Sequence, residues 1–148
     1  MEIALDYTLS VEFKETSKYG DVNKLKTCLK NYFYSKSYGE SIHKIFISLM
    51  SVHPKYDPFF KVKRPHYVED KFVKGQLTEI HLYKQLFVDI KLDFNNFINS
   101  TQEEGLRMVA NEFLETFRVL KYPKKIKDFD SKAFLADLEL FFKEEKIL

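Results

Sequence analysis

The chain has 148 residues, 45% of them apolar and 31% charged, with only 4 Gly and 4 Pro. This composition excludes extensive disorder and fits one domain, residues 1–148, able to bury roughly 70% of its unfolded surface. The net charge of +2 is too small for a dedicated polyanion binder, and a single cysteine, Cys28, excludes an internal disulfide.

The first segment alternates. Ile3, Leu5, Tyr7, Leu9, Val11 and Phe13 fall on one face, with Asp6, Thr8, Ser10 and Glu12 on the other, which predicts a strand with one buried face. After a polar turn ending at Gly20, Val22, Leu25, Cys28, Leu29, Tyr32 and Phe33 recur at helical spacing and predict an amphipathic helix over 21–34. The run IHKIFISLMSV (42–52) is β-branched and apolar at both parities, which predicts a strand covered on both faces. Pro54, Pro58 and Pro65 then exclude a central strand, so 53–68 reads as a long loop.

Strand patterns return at 72–74, 77–83 and 86–92. The last two read as arms of a hairpin with its turn at Lys84-Gln85, although neither residue has the Gly or Asn character that two-residue turns favour. Ser100 with Glu103, or Thr101 with Glu104, supplies a capping box for a helix whose stripe is Leu106, Val109, Ala110, Phe113, Phe117 and Leu120. A lysine-rich connector with Lys121, Lys124, Lys125 and Lys127 leads past Pro123 to a second cap at Asp130. Phe129 and Phe134 stand there as a hydrophobic staple, and Phe134, Leu138 and Phe141 continue the stripe. Strands and helices are segregated, which predicts an α+β fold: a mainly antiparallel sheet, a helix after the first strand, and two C-terminal helices packed on it.

Candidate chemistry is sparse. None of His43, His53, His66 and His81 has a second His or Cys at zinc-pair spacing, so they read as surface or loop residues; His66 with Glu69 is the one spacing that could converge. Asp89-Ile90-Lys91, with Glu79 on the expected neighbouring arm, matches the Asp-x-Lys ending of metal-dependent nucleases. The same residues also fit the polar face of a strand, and fit it better. Lysines near Cys28 could lower its pKa, but a nucleophile also needs a positioned base, and a small buried side chain is the simpler reading. The four glycines at 20, 39, 75 and 105 are isolated, so no phosphate-cradling loop, cofactor site or metal site is expected.

The segment 55–71 interleaves aromatics with cations, namely Tyr56, Phe59, Phe60 and Tyr67 with Lys61, Lys63, Arg64 and His66. Rings offer anchoring area and cations attract anions, so these eight residues are the candidate partner-binding set. The competing reading tucks the rings into the core beneath an irregular crossover.

The succession EIHLYKQLFVDIKLDFNNF (79–97), then EEGLRMVANEFLETFRVL, then KKIKDFDSKAFLADLELFF resembles small immunity proteins of bacterial polymorphic-toxin and contact-dependent growth inhibition systems. The resemblance spans about the last 70 residues. It implies a cytoplasmic, non-enzymatic protein that binds a cognate toxin domain, one to one, and occludes its active site, with nucleases frequent targets. Immunity proteins against basic nucleases are often strongly acidic, whereas this chain is slightly basic, so no particular toxin is implied; the expected interface is the 55–67 loop or an acidic helix face, with Glu103, Glu104, Glu112 and Glu115 on one helix or Glu139, Glu144 and Glu145 on another. The alternative is a nucleic-acid-binding module using the lysines and aromatics of 55–74 and the connector 121–127, which 21 Lys against 3 Arg disfavours. An acidic N-terminus and the absence of any ~20-residue apolar run point to a cytoplasmic chain without a membrane span.

Overall fold

A computed structural model describes residues 1–9, 18–52, 66–74 and 79–148. The alternating N-terminal segment forms strand β1 (Glu2–Leu9), in which Ile3 and Leu5 are buried while Asp6 is exposed. Helix α1 (Lys18–Phe33) follows and buries Val22, Leu25, Leu29 and Phe33, a stripe at i, i+3, i+7 and i+11. Strand β2 (Lys44–Val52) then runs alongside β1 in parallel, from Glu2 opposite Lys44 to Leu9 opposite Ser51.

Strands β3 (His66–Lys74) and β4 (Glu79–Asp93) complete a four-stranded sheet in the order β1-β2-β4-β3. β4 pairs with β2 in parallel and with β3 antiparallel. The expected mainly antiparallel sheet is therefore wrong: the pairs β1–β2 and β2–β4 run parallel. The helix between β1 and β2 returns the chain to the end where β1 began, so the next strand must run in the same direction.

The expected turn at Lys84-Gln85 is also absent, and β4 passes straight through it for 15 residues. Lys-Gln supplies no residue suited to the positive φ of a tight turn, whereas the connection from β3 to β4 at 75–78 begins with Gly75. Six rungs of β3 and β4, from Glu69 opposite Lys84 to Lys74 opposite Glu79, lie beyond the β2 ladder, and past the Lys84 carbonyl, which accepts the His43 N–H, the two strands pair only with each other among the described residues. They form a two-stranded ribbon extending about 20 Å past the start of β2, at ~3.4 Å per residue.

One face of the sheet is core. Ile3, Leu5, Ile45, Ile47, Leu49, Leu86, Val88, Ile90 and Leu92 join a single hydrophobic cluster with the helices. On the other face Phe46, Ser48, Met50, Phe87 and Asp89 are half-buried, so β2 is central but not fully covered on both sides as its composition suggested. Phe46 and Phe87 stack there at 5.5 Å.

Helix α2 (Phe94–Ile98), which the sequence pattern did not reveal, starts at Asp93, whose carboxylate accepts the Asn96 N–H at 2.9 Å. Helix α3 (Gln102–Val119) begins with the Thr101–Glu104 capping box and buries Val109, Ala110, Phe113, Leu114 and Phe117. Helix α4 (Ser131–Glu144) is capped by Asp130, which accepts the Ala133 N–H at 3.0 Å, and the Phe129 and Phe134 rings lie 5.8 Å apart as a staple.

Two connectors are stitched together beside this layer. The Asp130 N–H donates to the Tyr38 carbonyl at 2.8 Å. The Asp128 carboxylate accepts N–H groups from Glu40 at 3.0 Å and Ser41 at 2.7 Å, and also the Ser41 hydroxyl. Gly39 lies at φ +122, and a Cβ there would stand 1.6 Å from the Asp128 carbonyl oxygen. Both the left-handed backbone and the close approach demand glycine.

Gly39→Ala should therefore destabilise by at least about 2 kcal/mol, a fall in Tm on the order of 5 °C or more, read by thermal unfolding. Ser41, and then the backbone of Glu40, hold the Asp128 carboxyl below its ordinary 3.8. A folded pKa below the unfolded one means that the stabilisation is present above about pH 3.8 and disappears as pH falls through the folded value. Asp128→Asn should thus melt earlier than the wild type at pH 7, and the gap should narrow below pH ~4.

Candidate functional site

The connector between α3 and α4 is rich in lysine. Lys121, Lys124, Lys125 and Lys127 are all exposed there, and Lys132 follows in the first turn of α4. Among the described residues none of the five has an ion-pair partner. The two acids in the same stretch are already engaged, Asp128 with Glu40 and Ser41 and Asp130 with the α4 N-terminus. Beneath the lysines, Tyr122 and Phe129 pack at 5.3 Å. Burial pushes the Tyr122 hydroxyl up to about 12, and it has no hydrogen-bond partner among the described residues.

This end of the molecule is also the root of the β3–β4 ribbon. The His43 N–H donates to the Lys84 carbonyl at 2.9 Å, and the Lys84 charge helps to hold the Asp128 carboxyl low. The connector, the 38–43 turn and the first residues of the ribbon are thereby joined.

Of the candidate partner-binding residues, Tyr56, Phe59, Phe60, Lys61, Lys63 and Arg64 lie outside the described residues. His66 and Tyr67 open β3, opposite Phe87 and Leu86. Val52 lies opposite Asp93 and His66 opposite Phe87, six residues apart along β4 or about 20 Å, so His66 stands two rungs from the Lys44–Gln85 end.

The nuclease-like residues do not converge. Because β4 has no turn, Glu79 is on the same strand as Asp89, ten residues or roughly 33 Å away. Asp89 instead lies opposite Ser48 on the half-buried sheet face. His66 and Glu69 are three apart on a strand, a spacing that assigns the two positions to opposite faces. His66 and His81 sit six rungs apart, opposite Phe87 and Phe72. His43 is exposed at the start of β2, and His53 lies outside the described residues. No group of three or more His, Cys, Asp or Glu among the described residues could hold a metal ion.

Cys28 borders a cleft of about 200 Å³ between α1, the start of α3 and the residues after α4, with Asp21, Lys24, Gln102 and Glu145 around it. Gln102 Nε2 donates to Asp21 Oδ1 at 2.9 Å across this cleft. Burial first, and the Glu145 charge second, push the thiol up, the opposite of what a nucleophile needs. Cys28 also borders a more open groove of about 500 Å³ along α1, lined by Gly20, Asn23, Lys24 and Thr27. No helix among the described residues is long and apolar enough to cross a membrane.

Cys28 should accordingly be alkylated by iodoacetamide at pH 7.5 more slowly than free cysteine. The rate should still be rising above pH 9; a plateau below pH 8 would show an activated thiolate instead.

Comparison with known proteins gives one result that spans this architecture: the family model described as Immunity protein 44 matches residues 1–144. No curated protein matches the chain, and no solved structure does.

Proposed function

The chain belongs to the Immunity protein 44 family, and from that premise we propose that it binds a cognate bacterial toxin domain and neutralises it by covering the toxin's active site. The observation that carries this reading is the reach of the family match. It takes in every strand and helix described above, from β1 to α4.

On this reading the protein works by binding alone, as a single-domain inhibitor in a one-to-one complex in the cytoplasm of the toxin-producing cell. The setting is a polymorphic-toxin or contact-dependent inhibition system, and a nuclease is the first target class to test. Its interface includes the segment leading into β3, with Tyr56, Phe59, Phe60, Lys61, Lys63 and Arg64, and the first residues of that strand, His66 and Tyr67. Rings and cations mixed in this way supply both buried anchors and attraction to acidic groups. Occlusion of this kind benefits from a surface already in its bound shape, because little ordering cost then opposes association. The Asp128 and Gly39 stitching provides such rigidity next to the root of the ribbon.

Co-expression with the toxin domain encoded immediately upstream should rescue a host that the toxin alone kills, and the purified pair should elute as a one-to-one complex. Death of the host despite soluble expression of both chains would refute the proposal. A preparation that binds single-stranded nucleic acid with a steep salt dependence, and ignores the toxin, would establish the nucleic-acid-binding alternative instead.

A further inference from the structure

We infer that the α3–α4 connector is a docking surface for an acidic patch on the toxin, with Lys121, Lys124, Lys125 and Lys127 as its contact charges. The inference rests on the proposed toxin-binding function and specifies which end of the protein meets the partner and with what chemistry.

Three observations carry it. First, the four lysines are exposed and unpaired among the described residues, in a stretch whose only acids, Asp128 and Asp130, face backbone N–H groups. Asp128 and Asp130 are exposed and charged as well, so the connector sets four cations against two anions and its net field is positive. Second, the connector is held in place. Asp128 accepts hydrogen bonds from Glu40 and Ser41, the Asp130 N–H bonds to Tyr38, and Gly39 lets the two backbones meet. A charged loop fixed in this way keeps its pattern on binding, which a freely moving run of lysines would not. Third, Lys84 at the root of the ribbon adds its charge to the same end.

The partner chemistry follows from what surrounds the lysines. Nucleic acid held without sequence preference is gripped by stacking on exposed rings as well as by charge. The aromatics of the connector, Tyr122 and Phe129, pack against each other and are half-buried, with the Tyr122 hydroxyl enclosed. Lysine ammonium groups without planar forks or stacking rings suit the dispersed carboxylates of an acidic protein surface. Their principal effect is on the rate of encounter, which rises when opposite fields steer the partners together.

The test uses the full chain carrying Lys121→Glu, Lys124→Glu, Lys125→Glu and Lys127→Glu together, with the upstream-encoded toxin domain, made catalytically inactive, as the probe. Stopped-flow association is measured across salt concentrations. The wild-type rate should fall as salt rises, and the reversed variant should associate about tenfold or more slowly at low salt with its salt dependence flattened or inverted. Lys→Gln at the same four positions should give an intermediate rate, and it serves in place of the reversed variant if that one does not fold. Equal rates and equal salt slopes for wild type and variants would overturn the inference while leaving toxin binding intact. No binding by the wild type would remove the underlying function itself. Wild-type binding to a single-stranded oligonucleotide that is lost in the variants would reassign the lysines to nucleic acid.

Discussion

The contact on which the architecture depends is between Phe33, at the end of α1, and Phe134, in the first turn of α4. Both rings are completely buried, with centroids 5.4 Å apart. Around them the Tyr38 ring lies 5.4 Å from Phe134 and 6.4 Å from Phe33, Phe117 of α3 approaches Phe134 at 5.1 Å, and Phe141 approaches Phe33 at 6.3 Å. Three helices and one connector converge on this cluster. Aromatic pairs in tilted and edge-on geometry contribute about 0.5–1.5 kcal/mol each beyond their area, so removing one central ring would loosen every element at once. Tyr38 also fills a polar role: its hydroxyl donates to Asp137 at 2.5 Å, and burial together with that bond pushes its pKa far above the ordinary tyrosine value. A buried ring with a satisfied hydroxyl ties the 38–41 turn to α4.

From that cluster outward, the position of the charged connector is determined by packing. Phe129 touches both Tyr38 and Phe134, so the residue just before the α4 cap is anchored in the core. Immediately on either side of it, Asp128 and Asp130 take up backbone amides. The lysines of the connector are left on the outside as a consequence. Structure and charge pattern thus have one cause, since the residues that secure the loop are its aromatics and acids and the residues with no part in securing it are its cations.

Among the described residues, the cysteine thiol is raised by burial and by a neighbouring carboxylate, and the nuclease-like acids lie far apart along one strand. Membership of an immunity family gives these features a common sense. A protein of that kind needs a stable scaffold and a shaped, charged exterior, and the scaffold here is a sheet with helices on one face and a ribbon running past its end.

Local pattern alone revealed a large share of this protein. Alternation gave β1, a helical stripe gave α1, and capping boxes and staples gave the starts of α3 and α4, because each of these signals is carried by residues within a few positions of one another. The choice of Thr101 over Ser100 as the cap, and the short helix α2 started by Asp93, were decided at the scale of single hydrogen bonds. Strand direction was a different matter. Whether β2 runs parallel to β1, and whether β4 turns at Lys84 or continues, depends on which distant strand each edge pairs with, and a backbone edge carries no residue-specific label. The same limit applied to the site. The sequence displayed a lysine-rich connector with two acids in it; only the folded chain, by bringing the amides of residues 40 and 41 to Asp128, showed that this acid secures the connector while the lysines take no part in holding it.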